Sequence, residues 1–428
     1  MRELSRELLT PQLPPKVEYN TIVIGASLSG SLITTLLARA GQRVLLLDPI
    51  QFPRRKACGE GLSRIGYEYL SSLGLWSNEL EKTAQPFWGY EIHFAGGKAP
   101  AGLLRSRERG TPLGYGVSRS LLDQSLQERA LSLETVTHIP ERVSRVKRIG
   151  ECWRVELGDQ SIFHAKDLVF ACGSAVSKLL PGNEEEADVK RRFGLVLWCE
   201  GEWEEPRPST VILHHLPEGE YLFTQIAPRE VNVSVLLSKN GSHDVSPQEV
   251  QARALELLRG RGFRIESISS VRGASSIHHS KTVARDCGAY QIGDALERFD
   301  PIGGLGMANG VLSAVHAAAM ILQEDFGSPQ EFAKVYKPIA RSLRLLTAIS
   351  FYLNVRRSRL ARWGVCRFPE TSMRLLSVLH HLIPSPAPLL DALQDNKTQR
   401  QARGKGWLWG SRGAHSLALK GRVFQGIW

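Results

Sequence analysis

Residues 21–48 read TIVIGASLSGSLITTLLARAGQRVLLLD. A short apolar strand leads into a glycine-containing turn, a helix of small and apolar residues follows, and a second apolar strand ends at an acid. This is the order of a βαβ unit that binds a dinucleotide. An ordinary βαβ unit without a ligand is the alternative, but strand, turn, helix and terminal acid together favour the binding site. Its candidate contacts are Gly25, Ser27, Leu28, Ser29, Gly30 and Asp48.

Each part of this segment has a physical role in such a site. Gly25 allows the tight turn, and Gly30 lets the helix pack close to the strand. The helix N-terminus directs free N–H groups and a positive dipole end at a pyrophosphate. Asp48 follows Gly25 by roughly twenty residues, the usual offset for an acid that binds a ribose hydroxyl. Ser27 replaces the middle glycine of the motif, where its Cβ crowds the phosphate and its hydroxyl can donate to it.

Length and composition describe a multi-part globular protein. The 428 residues predict two or three subdomains, with 42% hydrophobic and 23% charged residues. The first 16 residues lack the apolar segment of a secretory signal, and the longest apolar stretch, 311–322, is too short to span a membrane. The cysteines form no CxxC pair, which argues against zinc and against a disulfide framework. We therefore expect a cytoplasmic protein.

The net charge of +11 comes from the C-terminal part of the chain. Residues 341–428 hold 15 Lys and Arg but 3 Asp and Glu, and the last 33 interleave cations with Trp407, Trp409, Phe424 and Trp428. Such a segment suits an anionic membrane surface or an acidic carrier protein, so we expect peripheral contact, at the inner face of the membrane or with a carrier. A solvated tail is the alternative, and nucleic acid is not an expected partner.

The order of predicted elements indicates interleaved domains. A strand–helix start, a central block of strands and a return to α/β pattern predict an α/β fold, with helices at 117–131, 246–260 and 308–323. The predicted units are a cofactor domain at 19–76, 116–186 and 268–340, an antiparallel-sheet substrate domain at 77–115 and 187–267, a helical region at 341–395 and a basic tail at 396–428.

Three further motifs decide which dinucleotide is expected. They are QFPRRKACGEGLS at 51–63, YGVSRSLLD at 115–123 and QIGDALERFDPIGGLGM at 291–307. With them the chain resembles the flavoprotein superfamily of geranylgeranyl reductases, para-hydroxybenzoate-type hydroxylases and flavin halogenases, over roughly residues 19–325. The loop FPRxKxCGxG is most similar to the geranylgeranyl reductase branch. The resemblance implies FAD, bound in a Rossmann-like domain of the glutathione-reductase type.

The resemblance also assigns residues to the FAD site. It places Arg54 and Lys56 on a loop beside the flavin, directs Arg119 at the phosphates or ribitol, and makes Asp294 an acceptor for ribitol hydroxyls. Glycines before a helix expose backbone N–H groups and a positive dipole end, which stabilise an anionic reduced flavin. The predicted FAD-binding residues outside the first motif are Arg54, Lys56, Arg119, Val143, Gly293, Asp294, Gly303, Gly304, Gly306 and Met307.

Departures from the family leave the reaction open. The turn at 171–173, ACG, lacks the family's acid, which weakens any NAD(P)H site there. The reductase fingerprint at 216–223, LPEGEYLF, keeps a proline and Tyr221 but no tryptophan, and the halogenase WxWxIP signature is absent. Cys58 and Tyr221 are the candidate catalytic residues, although Cys58 can equally be a packing residue. Neighbouring histidines on a strand face opposite ways, so we expect no metal.

The resulting prediction is an FAD-dependent oxidoreductase, with NAD(P)H or a reduced electron carrier as donor. The favoured reaction is monooxygenation of an apolar, aromatic or lipid-like substrate, free or carrier-bound. The first alternative is a geranylgeranyl reductase-like enzyme that reduces isoprenoid C=C bonds, which the Cys58 loop favours. A flavin-binding protein without turnover is the second, and a plain NAD-linked dehydrogenase is disfavoured by the 293–306 motif.

Overall fold

The computed structural model describes residues 17–94, 102–105, 112–180, 186–187, 192–205, 210–237, 245–277, 280–281, 287–323 and 327–354. The strands are β1 (Tyr19–Ile24), β2 (Val44–Leu47), β3 (Gly61–Ser63), β4 (Gln85–Phe87), β5 (Gly89–Phe94), β6 (Gly102–Arg105), β7 (Gly114–Gly116), β8 (Val136–Ile139), β9 (Val143–Ile149), β10 (Cys152–Leu157), β11 (Ile162–Phe170), β12 (Glu186–Ala187), β13 (Arg192–Trp203), β14 (Val211–His215), β15 (Gly219–Ala227), β16 (Glu230–Leu237), β17 (Phe263–Ile277), β18 (Ser280–Lys281), β19 (Tyr290–Gln291) and β20 (Glu297–Arg298). The helices are α1 (Leu28–Arg39), α2 (Arg64–Ser72), α3 (Asn78–Thr83), α4 (Arg119–Leu131), α5 (Val176–Leu179), α6 (Pro247–Arg259), α7 (Gly306–Leu322) and α8 (Pro329–Asn354).

One sheet carries the βαβ unit of the N-terminal motif. Its strand order is β8-β2-β1-β11-β10-β9, with β19 beside β11, and β1, β2, β8, β11 and β19 run parallel. Most residues of β1 and all residues of β2 are buried on both faces, as is usual for parallel strands. Val23 and Leu46 pack among α1, α4 and α7, whereas Ile22 and Leu45 pack with Trp153 of β10.

A second sheet lies mainly in the predicted substrate domain, and we call it the substrate sheet. Its order is β17-β13-β16-β15-β14-β5-β6, and all neighbours are antiparallel except β5 and β14. One face is covered by α6, whose Ser246–Glu249 capping box fixes its start. Because side chains alternate along a strand, the remaining side chains lie on the opposite face, toward the first sheet.

The elements agree closely with the predicted helices. The helices expected at 117–131, 246–260 and 308–323 are α4, α6 and α7, with ends displaced by a residue or two. The strand β17 pairs with β13 along the substrate sheet and crosses the predicted domain boundary at 268. The division into units otherwise stays a prediction. Beyond residue 354, the rest of the predicted helical region and the tail at 396–428 lie outside the described residues.

Candidate active site

A cavity of about 1430 Å³ lies between the two sheets. It opens at the carboxyl ends of β1, β2 and β11, which is where open α/β sheets bind ligands. Of the predicted cofactor residues, all but Gly30 line this cavity, and so does Cys58. The fold therefore brings stretches that are hundreds of residues apart in sequence to one wall.

The N-terminus of α1 forms an anion-binding corner of the cavity. Ser27 precedes the helix, and the first helical turn holds no acidic residue. The Ser27 hydroxyl accepts hydrogen bonds from Arg54 Nη2 at 2.8 Å and from Lys56 Nζ at 3.2 Å. Two cations and a positive helix end thus converge at the position predicted for a pyrophosphate. The serine that departs from the glycine motif is the group that gathers these cations.

Asp48 directly follows β2, and its carboxylate lies beside this corner. Its two oxygens accept from the Ala26 and Ile50 backbone N–H groups at 2.8 and 2.9 Å, which fixes the side chain. Arg54 donates to the same carboxylate at 3.1 and 3.2 Å. Asp48 is therefore held at the edge where a ribose hydroxyl is expected, and Arg54 spans the space from this acid to Ser27.

The Lys56 ammonium and the Asp294 carboxylate both line the cavity and interact electrostatically. Desolvation by the surrounding walls lowers the pKa of the Lys56 ammonium, and the cations Arg119 and Arg54 lower it further. Desolvation raises the pKa of Asp294, although Lys56 and Arg119 oppose this. Among the described residues no donor hydrogen-bonds the Asp294 carboxylate. An acceptor that faces the cavity without a protein partner fits the predicted contact with ribitol hydroxyls.

The glycine-rich turn before α7 leaves space for a flat group. Gly304 adopts φ +63°, a left-handed conformation that favours glycine, and α7 starts at Gly306 without an acid in its first turn. A Cβ added at Gly304 or Gly306 meets no protein atom within 4 Å, and both residues line the cavity. Packing within the described protein thus gives no reason for Gly306, whereas a closely approaching flavin does.

The Arg119 side chain lies between Asp123 and Cys58. Its guanidinium pairs with both carboxylate oxygens of Asp123 at 2.9 and 3.0 Å, and Nη1 lies 3.8 Å from Cys58 Sγ. Burial raises the pKa of the Cys58 thiol, and the nearby Arg119 charge only partly offsets this. The thiol is therefore protonated at neutral pH. Arg119 reaches the cavity wall, but in this structure its main partner is Asp123.

Glu60 is a site residue that the motif analysis missed. It is fully buried beside Cys58, with a backbone φ of 54° that non-glycine residues seldom adopt. Burial raises the pKa of its carboxyl to about 7, against hydrogen bonds from the Arg119 backbone and the Trp198 and Asn232 side chains. Its neighbours Gly59 and Gly61 were the local signal, because a glycine-flanked acid indicates a tight backbone turn.

The far part of the cavity is an apolar wall supplied by the substrate sheet. Side chains from alternate positions of β5, β14 and β15 form it, and α8 adds one apolar residue. These residues, which we call the apolar wall, are Tyr90, Ile92, Phe94, Val211, Leu213, Leu222 and Leu346. The cavity therefore has a charged half suited to a dinucleotide and an apolar half suited to a hydrocarbon or aromatic substrate.

Two predicted site residues lie elsewhere. Tyr221 is buried on the opposite face of the substrate sheet, in the cluster under α6, and its hydroxyl donates to Glu218 at 3.0 Å. The structure therefore corrects the proposed catalytic role of Tyr221, because its β15 neighbours Leu222 and Thr224 face the cavity instead. Gly30 is a packing position: an added Cβ would lie 1.7 Å from the Gly25 carbonyl oxygen.

Among the described residues, no group of three or more His, Cys, Asp or Glu could hold a metal ion. The adjacent His214 and His215 occupy one strand, and His214 stacks on His93 of β5 with ring centroids 4.5 Å apart.

Within the described part of the chain, no helix has the length and apolar character needed to cross a bilayer.

Comparison with known proteins identifies the cofactor domain. Residues 18–170 match the family model described as FAD binding domain. Menaquinone reductase from Mycolicibacterium smegmatis is 43% identical over 58 residues, 14% of each chain, so the match spans a small part of that protein. Digeranylgeranylglycerophospholipid reductase from Picrophilus torridus is 23% identical over 76% of this chain and 84% of its own. Squalene monooxygenase SE2 from Panax ginseng is 26% identical over 49% and 38%.

Solved structures share the fold over most of the chain. The flavin-dependent brominase Bmp2 superposes with a TM-score of 0.69 at 17% identity, covering 89% of this chain and 99% of its own. p-Nitrophenol 4-monooxygenase PnpA from Pseudomonas putida gives 0.66 at 16% identity, covering 88% and 98%. The chain contains an FAD-binding domain. The predicted FAD cofactor and the predicted fold are confirmed. The chain is similar to FAD-dependent monooxygenases, a flavin-dependent halogenase and a geranylgeranyl lipid reductase.

Proposed function

We propose that this protein is an FAD-dependent monooxygenase that acts on an apolar, lipid-like substrate. The observation that carries the proposal is the continuity of one cavity, from the cations at Ser27 to the apolar wall. Bound FAD supplies the two-electron chemistry. The chain supplies binding through Arg54, Lys56 and Asp294, and the apolar wall orients the substrate and excludes water.

The substrate class is supported by the chemistry that the relatives' names share. Menaquinone, squalene and geranylgeranyl lipids all contain apolar polyprenyl chains. The apolar wall offers branched and aromatic side chains to such a chain, and burial of each methylene stabilises the complex by about 0.8 kcal/mol. We propose a polyprenyl or similarly apolar substrate on this basis.

Reduction of an isoprenoid C=C bond is the second candidate reaction. It is favoured by a protic group at the cavity that monooxygenation does not require. Burial raises the pKa of the Cys58 thiol, so this side chain carries a proton at the cavity wall. Saturation of a C=C bond would need a proton in addition to a hydride from reduced flavin, and the Cys58 thiol is positioned to supply that proton.

One experiment separates the two reactions. The purified protein is first checked for flavin absorption bands and then photoreduced without oxygen. It is mixed in detergent with squalene, or with menaquinone supplied as its quinol so that the quinone ring cannot oxidise the flavin. A monooxygenase leaves the flavin reduced until O2 is admitted, and the product gains one oxygen atom. A C=C reductase reoxidises the flavin without O2, and the product gains two hydrogens. A flavoprotein that changes neither compound contradicts both reactions on polyprenyl substrates, and a colourless protein contradicts FAD use.

A matched pair of variants tests the substrate wall. Leu213→Asp places a charge in the apolar wall and is expected to abolish turnover while the protein keeps its FAD. Ile162→Asp changes a side chain that is 41% exposed on the protein surface and is expected to leave turnover unchanged. Equal turnover in both variants would place the substrate elsewhere.

We also propose peripheral contact with a membrane surface or an acidic carrier through the basic C-terminus. The support is the excess of cations interleaved with tryptophans in residues 396–428. A lipid-like substrate makes such contact useful, because the substrate itself resides in membranes or on carriers.

A further inference from the structure

The Glu60 carboxylate joins three separate parts of the fold. Its Oε1 accepts from the Arg119 backbone N–H, at the start of α4, at 2.8 Å. Its Oε2 accepts from Trp198 Nε1 of β13 at 2.6 Å and from Asn232 Nδ2 of β16 at 2.9 Å. Two of these donors belong to the substrate sheet, whereas Glu60 and Arg119 lie at the cofactor end of the cavity.

Strands β13 and β16 also hold the residues just before Glu60, from Arg55 to Cys58. Asn232 Nδ2 also donates to the Cys58 carbonyl oxygen at 3.0 Å. Arg55 pairs with Glu230 of β16 at 2.7 Å, and its guanidinium lies 4.9 Å from the centroid of the Trp198 ring. The loop from Arg55 to Glu60 is therefore fastened to β13 and β16 at three points, of which Glu60 is the most deeply buried.

Only an acid matches this arrangement of donors. A carboxylate has acceptor sites alone, so both Glu60 oxygens can take hydrogen bonds from three N–H groups. A glutamine of the same shape would direct an NH2 group at one of those donors and leave it unpaired. Arg55 and Cys58 on the loop and Arg119 on α4 are the ionisable groups around it, while β13 and β16 contribute neutral donors.

We propose that Glu60 is a positioning residue that fixes the Cys58 loop against the substrate sheet and so sets the spacing between the cofactor half and the apolar half of the cavity. The residue acts through the loop and through Cys58. This inference rests on the proposed function only for its effect on turnover, because the loop geometry is present in the protein without substrate.

The test compares Glu60→Gln with the surface variant Glu128→Gln. Amide hydrogen exchange in residues 55–61 and the visible circular dichroism of bound flavin are measured alongside melting temperature. Glu60→Gln is expected to speed exchange in this loop by about ten-fold, the effect of leaving one buried donor unpaired. It is also expected to change the flavin spectrum, and Glu128→Gln is expected to change neither. Trp198→Phe, which removes the indole donor together with part of the buried ring, is expected to reproduce both changes and decides the matter if Glu60→Gln does not fold.

The outcomes separate this inference from the proposed function. Faster loop exchange and an altered flavin spectrum support the positioning role even if squalene and menaquinone are not converted. If the wild-type enzyme converts them but Glu60→Gln has wild-type exchange, flavin spectrum and turnover, Glu60 has no positioning role. A fall in melting temperature with an unchanged flavin spectrum and uniform exchange would also overturn it, since that pattern marks a merely structural residue.

Discussion

Arg192 of β13 and Asp300 form a buried ion pair in which guanidinium Nη1 lies 2.9 Å from Oδ1. The same Asp300 oxygen accepts from the Ile302 backbone N–H at 3.0 Å and so caps the turn that leads to Gly304. Arg192 also pairs with Glu220 of β15. The substrate sheet is thereby fastened to the glycine-rich turn of the FAD site.

Loss of this arginine removes the guanidinium that pairs with two buried carboxylates, Glu220 and Asp300. We expect Arg192→Met to lower the free energy of unfolding by about 3–5 kcal/mol, the usual cost of removing one partner of a buried pair. Urea unfolding of the protein measures this. Arg264→Met removes an exposed partner of Glu202 and is expected to cost about 1 kcal/mol or less. Similar losses in the two variants would show that the buried pair is not special.

The raised pKa of Glu60 makes stability depend on pH. Because the native carboxyl binds its proton more tightly than in the unfolded chain, its contribution is fully present below pH 4.5 and is lost as pH rises through about 7. We expect wild type to lose about 2–3 kcal/mol more stability than Glu60→Gln between pH 5 and pH 8. Urea unfolding of both proteins at these pH values measures the difference. Parallel pH profiles would mean that Glu60 titrates normally.

A side chain at Gly306 is expected to compete with the cofactor. We expect Gly306→Leu to fold with a near-normal melting temperature and to retain little FAD, because its side chain would project into the cavity. The matched variant is Gly273→Leu on β17, where an added Cβ also meets no protein atom within 4 Å but does not line the cavity. FAD content after gel filtration distinguishes them, and full flavin occupancy in Gly306→Leu would place the flavin elsewhere.

The basic tail gives a prediction about membranes. Deletion of residues 396–428 removes seven cations and three tryptophans, so we expect less protein to pellet with vesicles that contain anionic lipid. Vesicles of neutral lipid serve as the control, since each cation near an anionic surface contributes about 1 kcal/mol. Equal pelleting of both forms with anionic vesicles would contradict tail-mediated contact.

The cofactor half of the site could be predicted from sequence because its contacts are local. The residues around Ser27, Asp294 and Gly304 belong to short motifs whose spacing reflects one turn or one helix start. The order of β1, α1 and β2 follows from the same periodicity. These features depend on backbone geometry, which sequence patterns record directly.

Long-range contacts explain what the sequence analysis missed. The donors to Glu60 come from α4, β13 and β16, and nothing near Glu60 in sequence indicates them. Tyr221 was chosen from a family fingerprint, but the side chain that faces the cavity depends on the register of β15 with its neighbours. Three register shifts in the pairing of β13 with β17 interrupt the regular alternation of side chains along these strands.

The order in which the FAD site is completed follows from the pairing of β11 with β19. The segment that matches the FAD-binding family ends at residue 170, whereas β19, Asp294 and the glycine-rich turn come more than a hundred residues later. During synthesis the ribosome must therefore produce the whole substrate sheet before the last wall of the cofactor site exists. A nascent chain can capture FAD fully only after α7 emerges, so premature termination in the substrate sheet yields a chain with half a site.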